Sequence, residues 1–362
     1  MSSPRRIQSA LPAHRRLLSL LDRGGEVRRS AGAFVVDNLF RGLSTVGKIH
    51  PAARPERHGV EIVQDVANRS TGLSEHLLDV YRPLRGEPPY PVVLYVHGGG
   101  FRILSKDSHW VMGLAFARRG YLVFNMSYRL APQHPYPAAV EDCCDALGWV
   151  AQNAASFGGD LDRLVLAGES AGANLVTALA LTMSYQREEP WARRAFATGL
   201  TARAVIPACG IFQVSDVGRL ARRKPRMSSF IADRLHEVEL SYLAGVQHAP
   251  GSRELDLADV AVALERGEAP DRPLPPFFLP VGTRDPLLPD TRRLQAALRA
   301  LGATADAAYY PGELHAFHAV VMRSQARRCW ADIFAFLDRQ GVAQAPLDRH
   351  GVGEPQRDRQ RV

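Results

Sequence analysis

The 362-residue sequence is poor in lysine: only three of its 45 basic residues are lysines, and the rest are scattered arginines. The formal net charge of +8 would suit an acidic partner. However, no basic block is interleaved with aromatic residues, as a nucleic-acid groove requires. The sequence therefore predicts no nucleic-acid partner.

Long apolar runs are also missing. None approaches the roughly 20 residues that span a bilayer, and the longest run near the start, residues 17–21, is shorter than a signal-peptide core of about 7–15 residues. The first 21 residues hold four arginines and no acid, which faintly resembles a mitochondrial transit peptide, although an amphipathic surface helix explains them equally well. We expect no membrane insertion and a cytoplasmic location.

Cysteine is scarce, and the four cysteines show no C-x-x-C spacing. This pattern indicates neither a zinc site nor a dithiol redox site. Cys143 and Cys144 lie inside a helical pattern and Cys209 ends an apolar run, so buried free thiols in a reducing compartment are expected. The nucleotide motifs G-K-[ST] and G-x-G-x-x-G are absent too, and the sequence predicts no cofactor and no metal.

Short apolar runs alternate with amphipathic stretches from about residue 60. The runs are residues 91–96, 121–124, 164–167, 204–206 and 277–279. Continuous apolar strands separated by helices predict an α/β fold, with a mostly parallel central sheet covered by helices on both faces.

Two regions break this alternation. Residues 1–55 are Arg-rich with a helical pattern, and residues 213–270 form a connection far longer than a usual loop of about 2–6 residues. Such insertions often act as lids. We therefore expect an N-terminal cap segment at 1–55, a catalytic part at 56–212, a cap insertion at 213–270, a second catalytic part at 271–341 and a flexible tail at 342–362.

Residues 168–172 read Gly-Glu-Ser-Ala-Gly and match G-x-S-x-G. They follow a predicted strand and open a helix-forming run, so Ser170 would sit on a sharp turn with its hydroxyl projecting outward. The helix N-terminus favours developing negative charge. Ser170 is therefore the candidate nucleophile, although a helix N-cap serine would fit the pentapeptide alone equally well.

Residues 97–101, His-Gly-Gly-Gly-Phe, follow the first predicted parallel strand. Consecutive glycines let backbone N–H groups converge on one point, as the stabilisation of a tetrahedral oxyanion requires. Donors from this loop, with the N–H of Ala171, would complete an oxyanion hole. A flexible glycine loop or a phosphate-binding turn is the plainer alternative.

In this fold the acid and the base follow the serine along the chain. Asp285 comes directly after the strand at 277–281, and His315 follows a strand-like stretch at 305–310, so both belong to the edge of the sheet where ligand chemistry gathers. His318 is the rival base. Asp290 is the rival acid, although it is expected at a helix N-cap.

Taken together, the motifs around these residues resemble the hormone-sensitive-lipase-like family of bacterial esterases. The similarity covers residues 76 to 338 and adds the stretch at 128–139 to the elements above. It implies an α/β-hydrolase domain with a helical cap, and oxyanion donors from Gly99, Gly100 and Ala171. Three positions depart from the family pattern: Glu169 stands where Asp is common, Gln133 where Glu is common, and Ala316 where Gly is common.

The resemblance implies a serine carboxylesterase that hydrolyses short- to medium-chain esters through an acyl-enzyme. An amidase, carbamate hydrolase or arylformamide hydrolase would use the same triad. A silent receptor similar to the plant gibberellin receptors would lack the catalytic histidine, whereas His315 is present, and no strongly apolar lid indicates a membrane-acting lipase. Dimers are common in the family, so a homodimer is one expected assembly.

Overall fold

The computed structural model describes residues 53–223, 227–246 and 249–342, together with Gly42. The expected N-terminal cap segment at 1–55 and the expected tail at 342–362 lie almost wholly outside these residues. The strands, in chain order, are β1 (Val60–Ala67), β2 (Leu77–Pro83), β3 (Tyr90–Val96), β4 (Leu122–Met126), β5 (Gly159–Glu169), β6 (Ala204–Ala208), β7 (Phe277–Gly282) and β8 (Ala305–Tyr310).

These strands form one sheet in the order β1-β2-β4-β3-β5-β6-β7-β8. β2 pairs antiparallel with β1 and β4, and the remaining pairs are parallel. The predicted α/β class with a mostly parallel sheet is confirmed.

Helices cover both faces of the sheet. Within the described ranges they are α1 (Trp110–Ala117), α2 (Ala138–Asn153), α3 (Ala171–Ser184), α4 (Pro190–Ala197), α5 (Gly218–Arg223), α6 (Ser229–Tyr242), α7 (Val260–Glu265), α8 (Leu288–Ala300) and α9 (Ser324–Arg339). None of these helices has the length and the apolar character needed to cross a bilayer.

Strand β3 shows why its sequence is apolar without interruption. Alternate side chains of a strand point to opposite faces of the sheet. Val92 and Leu94 pack into the core shared with α2 and α3, whereas Val93 and Tyr95 pack into the core shared with α1 and α9. Both faces of β3 are therefore buried, as the unbroken apolar run predicts.

Helix α8 begins at Leu288, three residues before the start that an N-cap at Asp290 predicts. Pro289 is tolerated there because the first turn of a helix needs no backbone N–H donor. Asp290 therefore lies inside the first turn, and its expected position at the N-cap is wrong.

The long connection at 213–270 falls between β6 and β7, and buried carboxylates hold its beginning against its own later part and against α8. Asp259 accepts hydrogen bonds from the backbone N–H groups of Val214 and Ser215 at 2.7 and 3.0 Å. Asp290 accepts one from Phe212 at 2.9 Å. The first residues of the connection are thus fixed, while helix α6 lies further along it.

Another buried carboxylate, Asp142 on α2, joins three separate parts of the chain. It accepts the backbone N–H of Arg129 at 2.8 Å and the Arg129 guanidinium at 2.7 Å. His76 Nε2 lies 3.0 Å away and Arg69 NH1 3.1 Å away. Asp142 is 2% exposed, so this network holds the loop after β4 against α2 and the turn before β2.

We predict that Asp142→Asn lowers the free energy of unfolding by about 3 kcal/mol, because a neutral amide removes the buried charge that Arg129 and Arg69 share, although each keeps a second carboxylate partner. Urea unfolding followed by circular dichroism measures this. Asp162→Asn is the matched control, since Asp162 is exposed on the surface, and it should change stability by less than about 0.5 kcal/mol. Equal losses in the two variants would contradict a special role for Asp142.

Candidate active site

Ser170 occupies the turn between β5 and α3. Its φ of 56° and ψ of −116° are strained for a residue with a side chain, as is common where backbone geometry aims a reactive group. The Ser170 N–H donates to Ala208 O at 3.0 Å, which ties the turn to β6. A Cβ atom at Gly172 would lie 2.1 Å from Val96 O. Only glycine therefore lets α3 start so close to β3.

The structure brings Ser170, His315 and Asp285 together. His315 Nε2 lies 3.0 Å from Ser170 Oγ, and His315 Nδ1 lies 2.9 Å from Asp285 Oδ2. Asp285 follows β7 and is 3% exposed, and its second oxygen accepts the Leu287 N–H at 2.7 Å. The imidazole is 35% exposed, and it lines the same cavity as Ser170.

The surroundings of His315 set its basicity. Exclusion of water around the ring would by itself lower the pKa, but the charge of Asp285 and its hydrogen bond outweigh this and raise the pKa above the usual 6.5. A neutral His315 whose Nδ1–H is held by Asp285 presents Nε2 to Ser170 as a proton acceptor.

The rival base is buried and the rival acid is paired with another residue. His318 is buried, and burial lowers its pKa to about 4. Its Nδ1 has no hydrogen-bond partner among the described residues. Asp290 is fully buried and pairs with the guanidinium of Arg219, with Oδ1 2.6 Å from NH2. Among the described residues, neither one forms a hydrogen bond with Ser170, so the structure favours His315 over His318 and Asp285 over Asp290.

The glycine loop after β3 lies beside Ser170. Gly99 has a φ of 112°, and a Cβ there would lie 2.1 Å from Ile103 O, so the turn requires glycine. Gly98 donates its N–H to Glu169 at 2.6 Å. In the part of the chain that the structure describes, no acceptor takes the N–H groups of Gly99, Gly100 or Ala171. These are the donors that the resemblance implies for an oxyanion hole.

Glu169, beside the nucleophile, is the centre of a buried polar cluster. Its carboxylate accepts the Gly98 N–H and the Tyr95 hydroxyl, and it lies 2.6 Å from His109 Nε2. Burial alone would raise the pKa of Glu169, but the charge and hydrogen bond of His109 outweigh it and hold the pKa at about 2. In the sequence, Glu169 stands out only as a departure from the family pattern, and no pattern points to Tyr95 or His109, because they lie far from it along the chain.

A cavity of about 480 Å³ opens above Ser170. Most of its lining is apolar, and part of the lining comes from helix α6 of the long connection. The apolar lining residues include Ile103, Leu104, Val111, Met112, Ile211, Leu235, Val238 and Leu287. Binding sites for small molecules usually have this character, with a few polar groups that fix orientation.

Cys209, Asp285 and His315 bring potential metal-ligand atoms within 4.8 Å of one another. Burial, reinforced by the charge of Asp285, raises the pKa of the Cys209 thiol well above its usual value. A protonated thiol is a poor metal ligand, and Nδ1 of His315 already pairs with Asp285. The donor set therefore fits a hydrogen-bonded triad better than a cation. All four cysteines are free and buried, as predicted.

Comparisons with known proteins agree with this geometry. A family model described as the alpha/beta hydrolase fold matches residues 93–319. Carboxylesterase NlhH of Mycobacterium tuberculosis is 32% identical over 297 residues, which cover 79% of this chain and 82% of that protein. An acetyl esterase of Salmonella schwarzengrund is 28% identical over 227 residues, 62% of this chain and 65% of that protein.

A solved structure of an esterase from the bacterial hormone-sensitive lipase family superimposes with a TM-score of 0.66 at 24% identity, and the match covers 89% of this chain and 98% of that one. The chain therefore belongs to the α/β-hydrolase fold family. Its resemblance to the hormone-sensitive-lipase-like branch of that family is confirmed.

We predict that kcat/KM for an ester rises with pH through a pKa above 6.5, because His315 must lose its proton to act as a base and its pKa is raised. In Asp285→Asn the charge that raises the pKa of His315 is gone. The acid limb of the kcat/KM profile therefore moves to lower pH, and the plateau value of kcat/KM falls by about 10⁴-fold. A pH–rate profile of both proteins measures this.

Asp290→Asn is the control for this prediction. It should keep the acid limb of the wild type while losing about 3 kcal/mol of stability, since buried Arg219 loses its charged partner. A shifted acid limb in Asp290→Asn, with an unshifted one in Asp285→Asn, would exchange the roles of the two carboxylates.

Proposed function

We propose that this protein is a serine carboxylesterase that hydrolyses short- to medium-chain carboxylic esters through an acyl-enzyme, with Ser170 as nucleophile, His315 as base and Asp285 as acid. The observation that carries the proposal is the unbroken hydrogen-bonded chain from Ser170 Oγ through the His315 ring to Asp285 at the wall of an apolar cavity.

In the acylation step, Ser170 Oγ attacks the ester carbonyl carbon while His315 Nε2 takes the hydroxyl proton. Asp285 stabilises the imidazolium that forms. The tetrahedral intermediate collapses as its C–O bond to the alcohol breaks, and His315 gives its proton to the leaving alcohol oxygen. The products of this step are the free alcohol and an acyl group on Ser170.

The negative charge on the carbonyl oxygen requires donors that are already in place. The N–H groups of Gly99, Gly100 and Ala171 supply them, and each such donor is worth about 10²–10³ in turnover. Gly98 has a different task, because Glu169 holds its N–H. That bond fixes the loop that carries the next two donors.

Deacylation repeats the sequence with water. His315 removes a proton from water, hydroxide adds to the acyl carbon, and the carboxylic acid leaves as Ser170 Oγ recovers the proton from His315. Every group in the cycle belongs to this chain, the substrate or water, so the proposal needs no metal and no cofactor.

The relatives support ester substrates over the alternatives. The names carboxylesterase and acetyl esterase belong to related proteins, and they favour ester hydrolysis over an amidase, carbamate or arylformamide hydrolase with the same triad. We infer further that residues 213–270 act as a cap, because α6 lines the cavity. A cytoplasmic location and a homodimer complete the proposal.

We predict that Ser170→Ala lowers hydrolysis of p-nitrophenyl butyrate by a factor on the order of 10⁴ to 10⁶, because the nucleophile is removed. A fluorophosphonate should add its mass to the tryptic peptide that contains Ser170, and only in the native protein. Ser156→Ala changes an exposed serine that does not line the cavity, and it should match the native rate. Equal rates for the native protein and Ser170→Ala would reject the nucleophile.

The chain-length expectation is tested separately with p-nitrophenyl esters from acetate to palmitate. The native protein should hydrolyse short and medium acyl groups fastest, and faster hydrolysis of the long-chain esters would contradict this part of the proposal. Matched butyl esters and butyl amides assayed side by side decide between esterase and amidase.

A further inference from the structure

A charged cluster interrupts the apolar wall of the cavity. Arg102 follows the oxyanion loop, and Arg234 and Glu237 lie on α6; all three line the cavity. Arg102 NH1 contacts Glu237 Oε1, and Arg234 NH1 lies 2.7 Å from Glu237 Oε2. One carboxylate is therefore shared between two guanidinium groups.

The hydrogen-bonding capacity of this cluster is not filled. Among the described residues, the buried Nε atoms of Arg102 and Arg234 have no acceptor. Arg234 NH1 and Glu237 Oε2 are close, but they are not aligned as a hydrogen bond. A guanidinium offers five donors in a fixed fork, so each arginine has at least one donor that the described residues do not use.

The charge of the lining is also unbalanced. Arg284, which is exposed, adds a third guanidinium. Among the described residues of the lining, the only carboxylate besides Glu237 is that of Glu169. Glu169 is engaged by His109 behind the oxyanion loop, so it does not compensate the arginines. A positive excess facing a mostly apolar cavity is costly unless an anion completes it.

The cluster lies close to the proposed reaction centre. A Cβ atom on Gly100 would come within 2.7 Å of Val238 Cγ2, so α6 packs directly on the oxyanion loop next to Glu237. An anion held by Arg102 or Arg234 would therefore belong to the molecule whose ester group reaches Ser170.

We propose that the preferred substrates are esters that carry a second, anionic group, a carboxylate, which Arg102 and Arg234 bind while the ester group lies at Ser170. This inference rests on the proposed esterase function and specifies its substrate class. An Arg fork matches the two oxygens of a carboxylate, and the apolar walls limit the screening of the pair by solvent and salt.

A purely structural role is the competing explanation, in which the cluster only fastens α6 to the oxyanion loop. The two explanations predict different effects of removing the Glu237 carboxylate on binding of the anionic substrate. If Glu237 competes with the substrate for the guanidinium groups, its removal strengthens binding of the anionic substrate. If it is only a fastener, its removal gives no gain for that substrate.

The test uses two pairs of esters matched in shape, in each of which a carboxylate replaces an isopropyl group. Monoethyl adipate against ethyl 6-methylheptanoate places the charge on the acyl side. 4-Acetoxybutanoate against 4-methylpentyl acetate places it on the alcohol side. The measured quantity is the charge preference, the ratio of kcat/KM for the anionic ester to that for its neutral match, and the pair with the higher ratio identifies the side.

For at least one pair the native protein should show a charge preference above 1. Arg234→Gln should lower this preference about 10-fold or more, mainly through KM, because a charged hydrogen-bond donor is lost. Glu237→Gln should raise it about 3- to 10-fold. Arg102→Gln is a second variant with the same expected direction as Arg234→Gln, and Arg328→Gln, on the exposed face of α9, should leave the ratio unchanged.

A charge preference of 1 or below in both pairs, or no rise of the preference in Glu237→Gln, overturns the proposal. These results differ from failure of the esterase function itself, in which the neutral esters are not hydrolysed and the fluorophosphonate does not label Ser170.

The affinity for an anionic ester, measured without turnover, is an independent test of the proposal. Calorimetric titration of monoethyl adipate and of 4-acetoxybutanoate into Ser170→Ala should show binding of at least one of them, and adding Arg234→Gln should weaken that binding about 10-fold. Equal affinities of the single and the double variant for both esters overturn the proposal even where no ester is turned over.

Discussion

The carboxylate of Glu169 is the buried charge around which the proposed catalytic centre is assembled. It is adjacent to Ser170 in the chain, accepts the N–H of Gly98 and the hydroxyl of Tyr95, and pairs with His109. These partners belong to the oxyanion loop, to β3 and to the turn before α1. Because one ionised group binds all of them, it fixes the positions of the oxyanion loop and of the nucleophile relative to each other, as electrostatic preorganisation requires.

Neighbouring carboxylates of this fold acquire different roles from their surroundings alone. Asp285 and Asp290 are both buried and lie five positions apart. Asp285 faces an imidazole that can gain and lose a proton, and so it can support acid–base chemistry. Asp290 faces the permanently charged Arg219 and the start of the long connection, and so it acts as a structural anchor. The partner, rather than the residue type, assigns the function.

Local patterns in the sequence predict the parallel strands and the order of the candidate triad, because buried strands are apolar and each reactive residue directly follows one. They do not predict β1, whose central residues are exposed at the sheet edge and therefore carry no clear apolar periodicity. Nor do they predict that His109 meets Glu169 or that Arg102 meets Glu237, since pairs distant along the chain are joined only by the tertiary fold.

Ala316 shows an intermediate case: its φ of 54° explains why glycine is common at that position, but the angle is visible only in the structure.

The start of the long connection is held by Asp259, further along the same connection, and by Asp290 on α8, whereas α6 meets the cavity through side chains such as Leu235 and Val238. This separation makes the connection modular. Replacing the exposed and cavity-facing positions of α6 would change which molecules are admitted while the strands beneath keep their spacing. Substitutions on this one helix can thus change the substrate range of such a scaffold, while the buried core that stabilises the fold stays the same.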